Sequence, residues 1–450
     1  MTREFKNFKA AVQAHAEALG LQDYELYYQS GSDLTVSAFQ HEINEFSSST
    51  DGGVCFRCLV NGKMGYASTQ ELSEASAVRI VEHARDNAAC LEAEEAEFLC
   101  PGGKTYAEPQ NPSYPLPSAE KLIASVLDLQ DRMYRENPAV IDGTAAQGTA
   151  QTTDIAICNS KGLDLSYHAS LCALIAGPTV TDGKEMENDY SVKLGKPDAI
   201  DAGELAKKAV TKTLEKLGGE VPATGSCPVV FSTGAMTSLL QTFCGIFSSE
   251  NAQKGLSRLS GKEGSVIAAP CVTLVDDPFC KDSPMPIHFD AEGCPTYRKN
   301  VIEGGVLSTL LYNMKTAAVA GRETTGNAYK ADYAAPVGIQ PFAMYLQGGD
   351  LTEEALLAKA GNGVYITSLG GLHAGANAIT GDFSLQSSGF LIENGKKTTH
   401  VKSFTVAGNF YDLLKNITAL ADNMELPMPF GMTCFGAPSV LVEGLSIAGK

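Results

Sequence analysis

The stretch that most limits how this chain can fold runs from Val364 to Asn409: VYITSLGGLHAGANAITGDFSLQSSGFLIENGKKTTHVKSFTVAGN. Gly370, Gly371, Gly375, Gly381, Gly389 and Gly395 separate short apolar runs. The backbone must therefore turn tightly, or approach another surface closely, while still forming strands. The same stretch sets out His373, Asn377, Asp382, Ser384 and Ser387 at loop-like positions. Two readings are open here. The glycines are turn residues of β-hairpins whose polar side chains cap them, or the stretch is the wall of a built site or interface.

With 450 residues the chain exceeds one ordinary domain, so two or three are expected, each long enough to bury a core. The formal charge of -18, from 52 acidic and 34 basic residues, argues against a nucleic-acid surface, which needs clustered Lys and Arg. The N-terminal MTREFKNFKAAVQAHAEALG carries charges throughout and repeats its apolar residues at helical spacing. A secretory signal needs an uninterrupted apolar core instead. No apolar run reaches the length of a membrane span, and the chain reads as soluble and cytoplasmic. Its 12 cysteines stand mostly in apolar contexts, such as Cys158, Cys172 and Cys271, as buried free thiols do in a reducing compartment. Cys55 and Cys58 form a C-x-x-C, but in a strand pattern, where residues three apart face opposite ways. They read as structural.

Taken in order, Phe5, Phe8, Val12, Ala16 and Leu19 lie on one face of a helix over residues 3–19. Strands follow in YELYYQ, LTVSAF, EINEFSS and GVCFRCLV, the last joined to KMGYAS through an Asn61-Gly62 hairpin turn. A helix is expected at about 70–90. The prolines from Pro101 to Pro117 make residues 100–117 a linker or irregular crossover. The spacing predicts a helix over Ser118–Asn137, then two strands, AVIDGTAAQGTAQTTDIAICNS and LDLSYHASLCALIAG, in a sheet with one wet face. His168 in the second of these reads as a satisfied strand histidine. A helix over Ala202–Leu217 ends at Gly218-Gly219, and Val221–Cys227 marks the boundary into a second domain. There, Ser232 or Thr233 caps a helix with Met236, Leu239, Leu240, Phe243 and Phe247 on its face. No His, Asp or Glu occurs from Gly234 to Ser249.

Recognisable catalytic apparatus is sparse. The seven histidines are His15, His41, His83, His168, His288, His373 and His400, none paired at metal spacing. His41-Glu42 is half a motif within a strand pattern. There is no G-x-S-x-G elbow, and Leu369–Gly375 lacks phosphate-loop spacing. Asp276-Asp277 follows the apolar run VTLV, where metal-binding carboxylates often stand.

In order, the chain carries GGVCFRCLVNGKMGYAST, KGLSRLSGKEG, APCVTLVDDP, DAEGCPT, VIEGGVL, GRETTGNA, GLHAG, ITGDFS, GFLIENG and PSVLVEGLSIAG. These blocks resemble the TldD/PmbA family, once called modulators of DNA gyrase, and above all its PmbA (TldE) branch. The likeness spans nearly the whole chain. It implies an α+β fold: an N-terminal sheet-and-helix domain over residues 1–220, then a β-rich, barrel-like domain over 221–450.

In this family the TldD branch is a zinc peptidase whose H-E-x-x-x-H helix supplies two ligands and a general base. Matching Lys254-Gly255 and Ser260-Gly261 sets Leu240, Gln241 and Gly245 at those three positions. Leu240 and Gly245 cannot ligate zinc, and Gln241 cannot take a proton from water. The TldD branch adds a further thiolate near the C-terminus, and Cys434 is the one cysteine of that region here, without histidine partners. The family carries Asp276-Asp277 in catalytic and non-catalytic branches alike, so the resemblance implies a structural turn there.

The resemblance therefore implies the non-metal subunit of a TldD/TldE-type zinc peptidase acting on unfolded or extended peptides. Zinc is expected in a TldD-like partner and no cofactor or catalytic residue in this chain. The glycine-punctuated strands at 364–392, with His373, Asn377, Asp382, Ser384 and Ser387, would hold the peptide, by strand addition to a sheet edge. Two alternatives are a homodimeric peptidase with a metal site built from Cys434, His373 and Asp382, and a peptide-binding or regulatory protein without an enzymatic partner.

Overall fold

The structure is a computed structural model, and it describes residues 2–92, 97–108, 113–281, 283–427, 429 and 431–450. The Pro-rich crossover lies partly outside that set, and its described residues are irregular.

Helix α1 (Arg3–Ala18) is capped by the Thr2 hydroxyl and buries Phe5, Phe8, Val12 and Ala16, the face expected from the apolar spacing. Two long strands follow, β1 (Asp23–Phe39) and β2 (Glu42–Val60). The four short strands expected there are thus two continuous ones. Polar residues suggested breaks, but β4 (Ala145–Asn159) pairs with β1 along its length, and the Ser32 and Thr152 hydroxyls meet at 2.6 Å in the middle. Cross-strand hydrogen bonding supports a strand where apolar contact is missing. Asn61 and Gly62, both at positive φ, form the expected tight turn into β3 (Lys63–Thr69). His41 sits in the β1–β2 turn at φ +64°, not within a strand; its ring stacks on Tyr134, 4.4 Å between centroids.

With β5 (Asp164–Gly177) and, beyond the short ribbon β6–β7 (Thr179–Thr181, Met186–Asn188), β8 (Ser191–Leu194), these strands make a sheet ordered β3-β2-β1-β4-β5-β8. Helices α2 (Glu74–Cys90), α3 (Ala119–Glu136) and α4 (Ala202–Leu214) complete the N-terminal part. One sheet face packs Leu26, Phe56 and Cys58 under α1 and α2, and Val36, Ala146 and Ala150 under α3 and α4. The other face turns Tyr27, Ile155, Ile157 and Tyr167 toward Ile287, Phe289 and Phe342. Strand alternation explains the division. It also separates the C-x-x-C pair: Cys58 belongs to the helix-side core, whereas Cys55 lies on the opposite face near Lys330 and Arg57. His168 pairs with Asp154 at 3.0 Å, the satisfied strand histidine expected from its setting.

Downstream, β9 (Gly225–Phe231) leads into α5 (Thr233–Phe243). Strands β10 (Leu274–Asp276), β11 (Lys299–Glu303) and β12 (Val306–Leu307) precede a ribbon, β13–β14 (Ala328–Tyr329, Gly338–Ile339), and β15 (Ala343–Leu346). The remainder is β16 (Gly363–Gly370), β17 (Asp382–Glu393), β18 (Lys396–Asn409), β19 (Ile417–Leu420), β20 (Cys434–Gly436) and β21 (Val440–Ala448). One sheet runs β12-β11-β10-β15-β20. The other runs β18-β17-β16-β9-β21-β19, and pairing of Thr405–Ala407 with Ser446–Ala448 closes its first five strands into a barrel. Its strands share one hydrophobic core with α5. Asp276 is fully buried in the neighbouring sheet: Oδ1 accepts from the Phe342 and Ala343 amides, Oδ2 from Asn327 and Lys299. These four interactions tie the starts of β11 and β15 and the adjoining Phe342 and Asn327 to β10, which agrees with the structural reading of that carboxylate.

Candidate functional site

Helix α5 is started by Ser232, whose hydroxyl accepts from the Ala235 amide at 3.2 Å. Replacing Ser232 with alanine is expected to lower unfolding stability by about 1 kcal/mol, the usual worth of a lost N-cap, measurable by urea denaturation. Leu240 is 1% exposed and packs in the core. Gln241 is half-buried, and Gly245 stands beyond the end of α5, in the tighter turn Cys244–Phe247. Its carbonyl accepts from Asn251 Nδ2 at 2.8 Å. A methyl-ended side chain, an amide and a bare backbone present zinc with no imidazole, thiolate or carboxylate. These residues do not fit that metal.

Cys434 is also fully buried, 3.9 Å from the Ser283 hydroxyl, and burial pushes its thiol up to about 11. His373 and Asp382 are exposed. Among the described residues no group of three His, Cys, Asp or Glu side chains is placed to hold a metal ion, so Cys434, His373 and Asp382 do not assemble the site raised as an alternative.

The glycine-rich stretch builds something different. His373 stands on the short helix Leu372–Gly375, which Gly371 enters at φ +73°. Asn377 Oδ1 accepts from the Ile379 and Thr380 amides, an Asx turn that brings the Asn377 amide to the Asp382 carbonyl at 2.9 Å. Asp382 then opens β17, and its carboxylate accepts from Asn409 Nδ2 at 2.8 Å. Gly381 is at φ +81°, and a Cβ there would meet the Tyr411 ring at 2.5 Å. Arg258 caps the cluster: its guanidinium lies 5.4 Å from the Tyr411 ring centroid, and its amide donates to the Tyr411 hydroxyl. Hydrogen bonds from Asn409 and Thr380, then the Arg258 charge, hold the Asp382 carboxyl below its usual value.

Alternation along β17 divides the remaining candidates. Asp382 and Ser384 are exposed, whereas Ser387 follows Phe383 and Leu385 on the core-facing side, its hydroxyl donating to the Leu385 carbonyl. The expectation of a free edge at 364–392 needs correcting. β16 lies between β9 and β17, β17 lies between β16 and β18, and the barrel is closed. Their glycines serve strand-to-strand packing: a Cβ on Gly389 would lie 1.9 Å from the Tyr365 carbonyl oxygen. Sequence reasoning missed Arg258 and Tyr411. The signal for Arg258 was its place within KGLSRLSGKEG.

Residues 224–449 match the PmbA/TldA metallopeptidase C-terminal domain, and residues 24–88 match PmbA/TldA metallopeptidase domain 1. The chain belongs to the PmbA/TldD family. A metalloprotease PmbA homologue from Haemophilus influenzae is 28% identical over 440 residues, 93% of this chain and 90% of the relative. A metalloprotease TldD homologue from the same organism is 24% identical, over 95% and 93%. Among solved structures, a Thermotoga maritima protein described as a modulator of DNA gyrase superposes with a TM-score of 0.90 at 28% identity, covering 99% of this chain and all of the other. TldE from Thermococcus kodakarensis shares the fold, with a TM-score of 0.88 at 22% identity over the same shares. No helix among the described residues of this PmbA/TldD chain is long and apolar enough to cross a membrane.

Proposed function

We propose that this chain is the PmbA/TldE-like, non-metal subunit of a TldD/TldE-type zinc peptidase, divided into residues 1–220 and 221–450. The observation that carries this reading is the chemistry of α5 and its C-terminal turn. The segment keeps a buried hydrophobic face against the barrel while Leu240, Gln241 and Gly245 offer nothing to a metal. Zinc in a TldD-like partner would supply the activated water. This chain would enclose a peptide chamber together with that partner and position an extended peptide through the outward cluster of Asp382, Ser384, Asn377 and His373. An exposed carboxylate kept ionised, beside Arg258 and the polar Asn377 turn, gives a peptide backbone both acceptors and a cation to pair with.

The test is reconstitution. The purified chain alone is expected to show no chelator-sensitive cleavage of an unfolded peptide and no stoichiometric zinc, whereas mixing with a TldD-like chain bearing H-E-x-x-x-H restores cleavage. Stoichiometric zinc together with activity in the chain alone would overturn the reading. Within the active mixture, combining Asp382→Ala and His373→Ala is expected to reduce kcat/KM about tenfold, or about 1.4 kcal/mol, chiefly through KM. An unchanged value would remove both residues from peptide binding.

A further inference from the structure

A strap formed by residues 97–106 crosses the seam between the N-terminal sheet and the turn Asp290–Cys294. On the sheet side, Asn159 Nδ2 donates to the Cys100 carbonyl at 2.8 Å, and the Gly102 amide donates to the Lys161 carbonyl. On the other side, the Tyr106 hydroxyl donates to the Gly293 carbonyl at 2.8 Å, and Glu97 pairs with Lys315 at 3.2 Å. The strap passes close against the sheet side, where a Cβ on Gly102 would lie 2.2 Å from the Gly162 carbonyl oxygen. Between these anchors the thiols of Cys100 and Cys294, 194 residues apart in sequence, meet at 3.2 Å, and both are fully buried. No part of the proposed peptide machinery uses them.

We propose that Cys100 and Cys294 are a modification site, forming a reversible intramolecular disulfide that locks the strap across the seam. A low-molecular-weight disulfide such as oxidised glutathione is the oxidant. One cysteine, as its thiolate, attacks a glutathione sulfur and expels one glutathione thiol. The second cysteine attacks the mixed disulfide and expels the other. Two electrons and two protons leave the protein and appear as two glutathione thiols, so the exchange balances. Two features keep the reduced form as the resting state. Neither sulfur is exposed, and the Cys294 thiol is held protonated by its contact with Cys100, by burial and by the charge of Asp290. Exchange therefore proceeds through molecules in which the strap has lifted, and the bond then prevents it from lifting again. Cys55 and Cys58 face opposite sides of their sheet and do not compete.

The test equilibrates the full chain with oxidised glutathione, then denatures it in alkylating agent and maps its peptides. Loss of two hydrogens and one cross-linked peptide joining Cys100 to Cys294 are expected. The unfolding midpoint should rise by about 5 °C or more, because the closed loop restricts the unfolded chain, and dithiothreitol should reverse the rise. Cys294→Ser should abolish both effects. Recovery of both cysteines as free thiols, a mixed disulfide with glutathione as the end product, or an equal midpoint rise in Cys294→Ser would overturn the proposal. The peptide map uses the unaltered chain, so the proposal stays testable even where Cys294→Ser folds poorly.

Discussion

Gly389→Ala is expected to destabilise the protein by on the order of 4 kcal/mol or more, a size that marks a specific structural fault. Gly389 of β17 pairs with Ile366 of β16. An added Cβ would lie 1.9 Å from the Tyr365 carbonyl oxygen and 2.9 Å from the Ile366 Cα. Both obstacles are backbone, so no rotamer change relieves them. Nor can β17 move outward freely, because β18 joins it to β21 and closes the barrel. The control is Gly371→Ala, at φ +73° with open space around its Cβ, where only the left-handed conformation is strained, at a cost of about 1–2 kcal/mol. Urea unfolding compares the two directly. Equal midpoints would show that the close approach of β16 and β17 does not govern barrel stability.

Stability is also expected to fall as pH rises from about 5 to 8, and Glu292→Gln is expected to remove much of that fall. Asp290 and Glu292 are buried at the seam. Burial raises Asp290 to about 6, partly offset by hydrogen bonds from the Ala328, Cys294 and Glu292 amides. Glu292 is raised to about 8 by burial and by the Asp290 charge, with Arg57 opposing. The folded state thus holds protons that the unfolded chain has released once pH passes the ordinary carboxyl range near 4. The unfolded state then binds fewer protons than the native state, so stability decreases with pH through this window. It is fully retained below the unfolded values and lost as pH passes about 6 and then about 8.

Glutamine at 292 keeps an acceptor for the Met314 amide, which now donates to the Glu292 carboxyl at 2.8 Å, and it has no charge to desolvate. At pH 8 the variant should exceed the parent by on the order of 2–4 kcal/mol, with little difference at pH 5. Thermal or urea unfolding at both values measures it. A constant difference at the two pH values would refute the titration argument. Arg57 is a different case: its guanidinium and the Glu25 carboxylate form a buried pair at 2.7 Å, and removing one partner would leave the other charge uncompensated.

Much of this chain was legible locally. Phe5, Phe8, Val12 and Ala16 repeat at helical spacing, Asn61-Gly62 demands a positive-φ turn, and Ser232 precedes an apolar helical face; each signal lies within a few residues. The break expected in β1 was not real, because its polar centre is supported by β4, more than a hundred residues away. The same distance hid the surface cluster. Asp382 and Asn377 belong to one turn and were visible together, but Arg258 and Tyr411 come from segments on either side of the barrel strands. Only their contact across 153 residues brings them together.

By itself, the sequence determined the family, the absence of His, Asp and Glu from Gly234 to Ser249, and the positions that must turn. These depend on residue identity and short spacing, which the chain carries whatever its final shape. Tertiary structure alone decided that the glycines of 364–392 seal a closed barrel instead of opening an edge, and that Ser387 faces the core while Asp382 and Ser384 face outward. It also decided that Cys100 meets Cys294. Strand register and long-range closure set all three outcomes, and a shift of one residue in pairing would exchange the faces of β17.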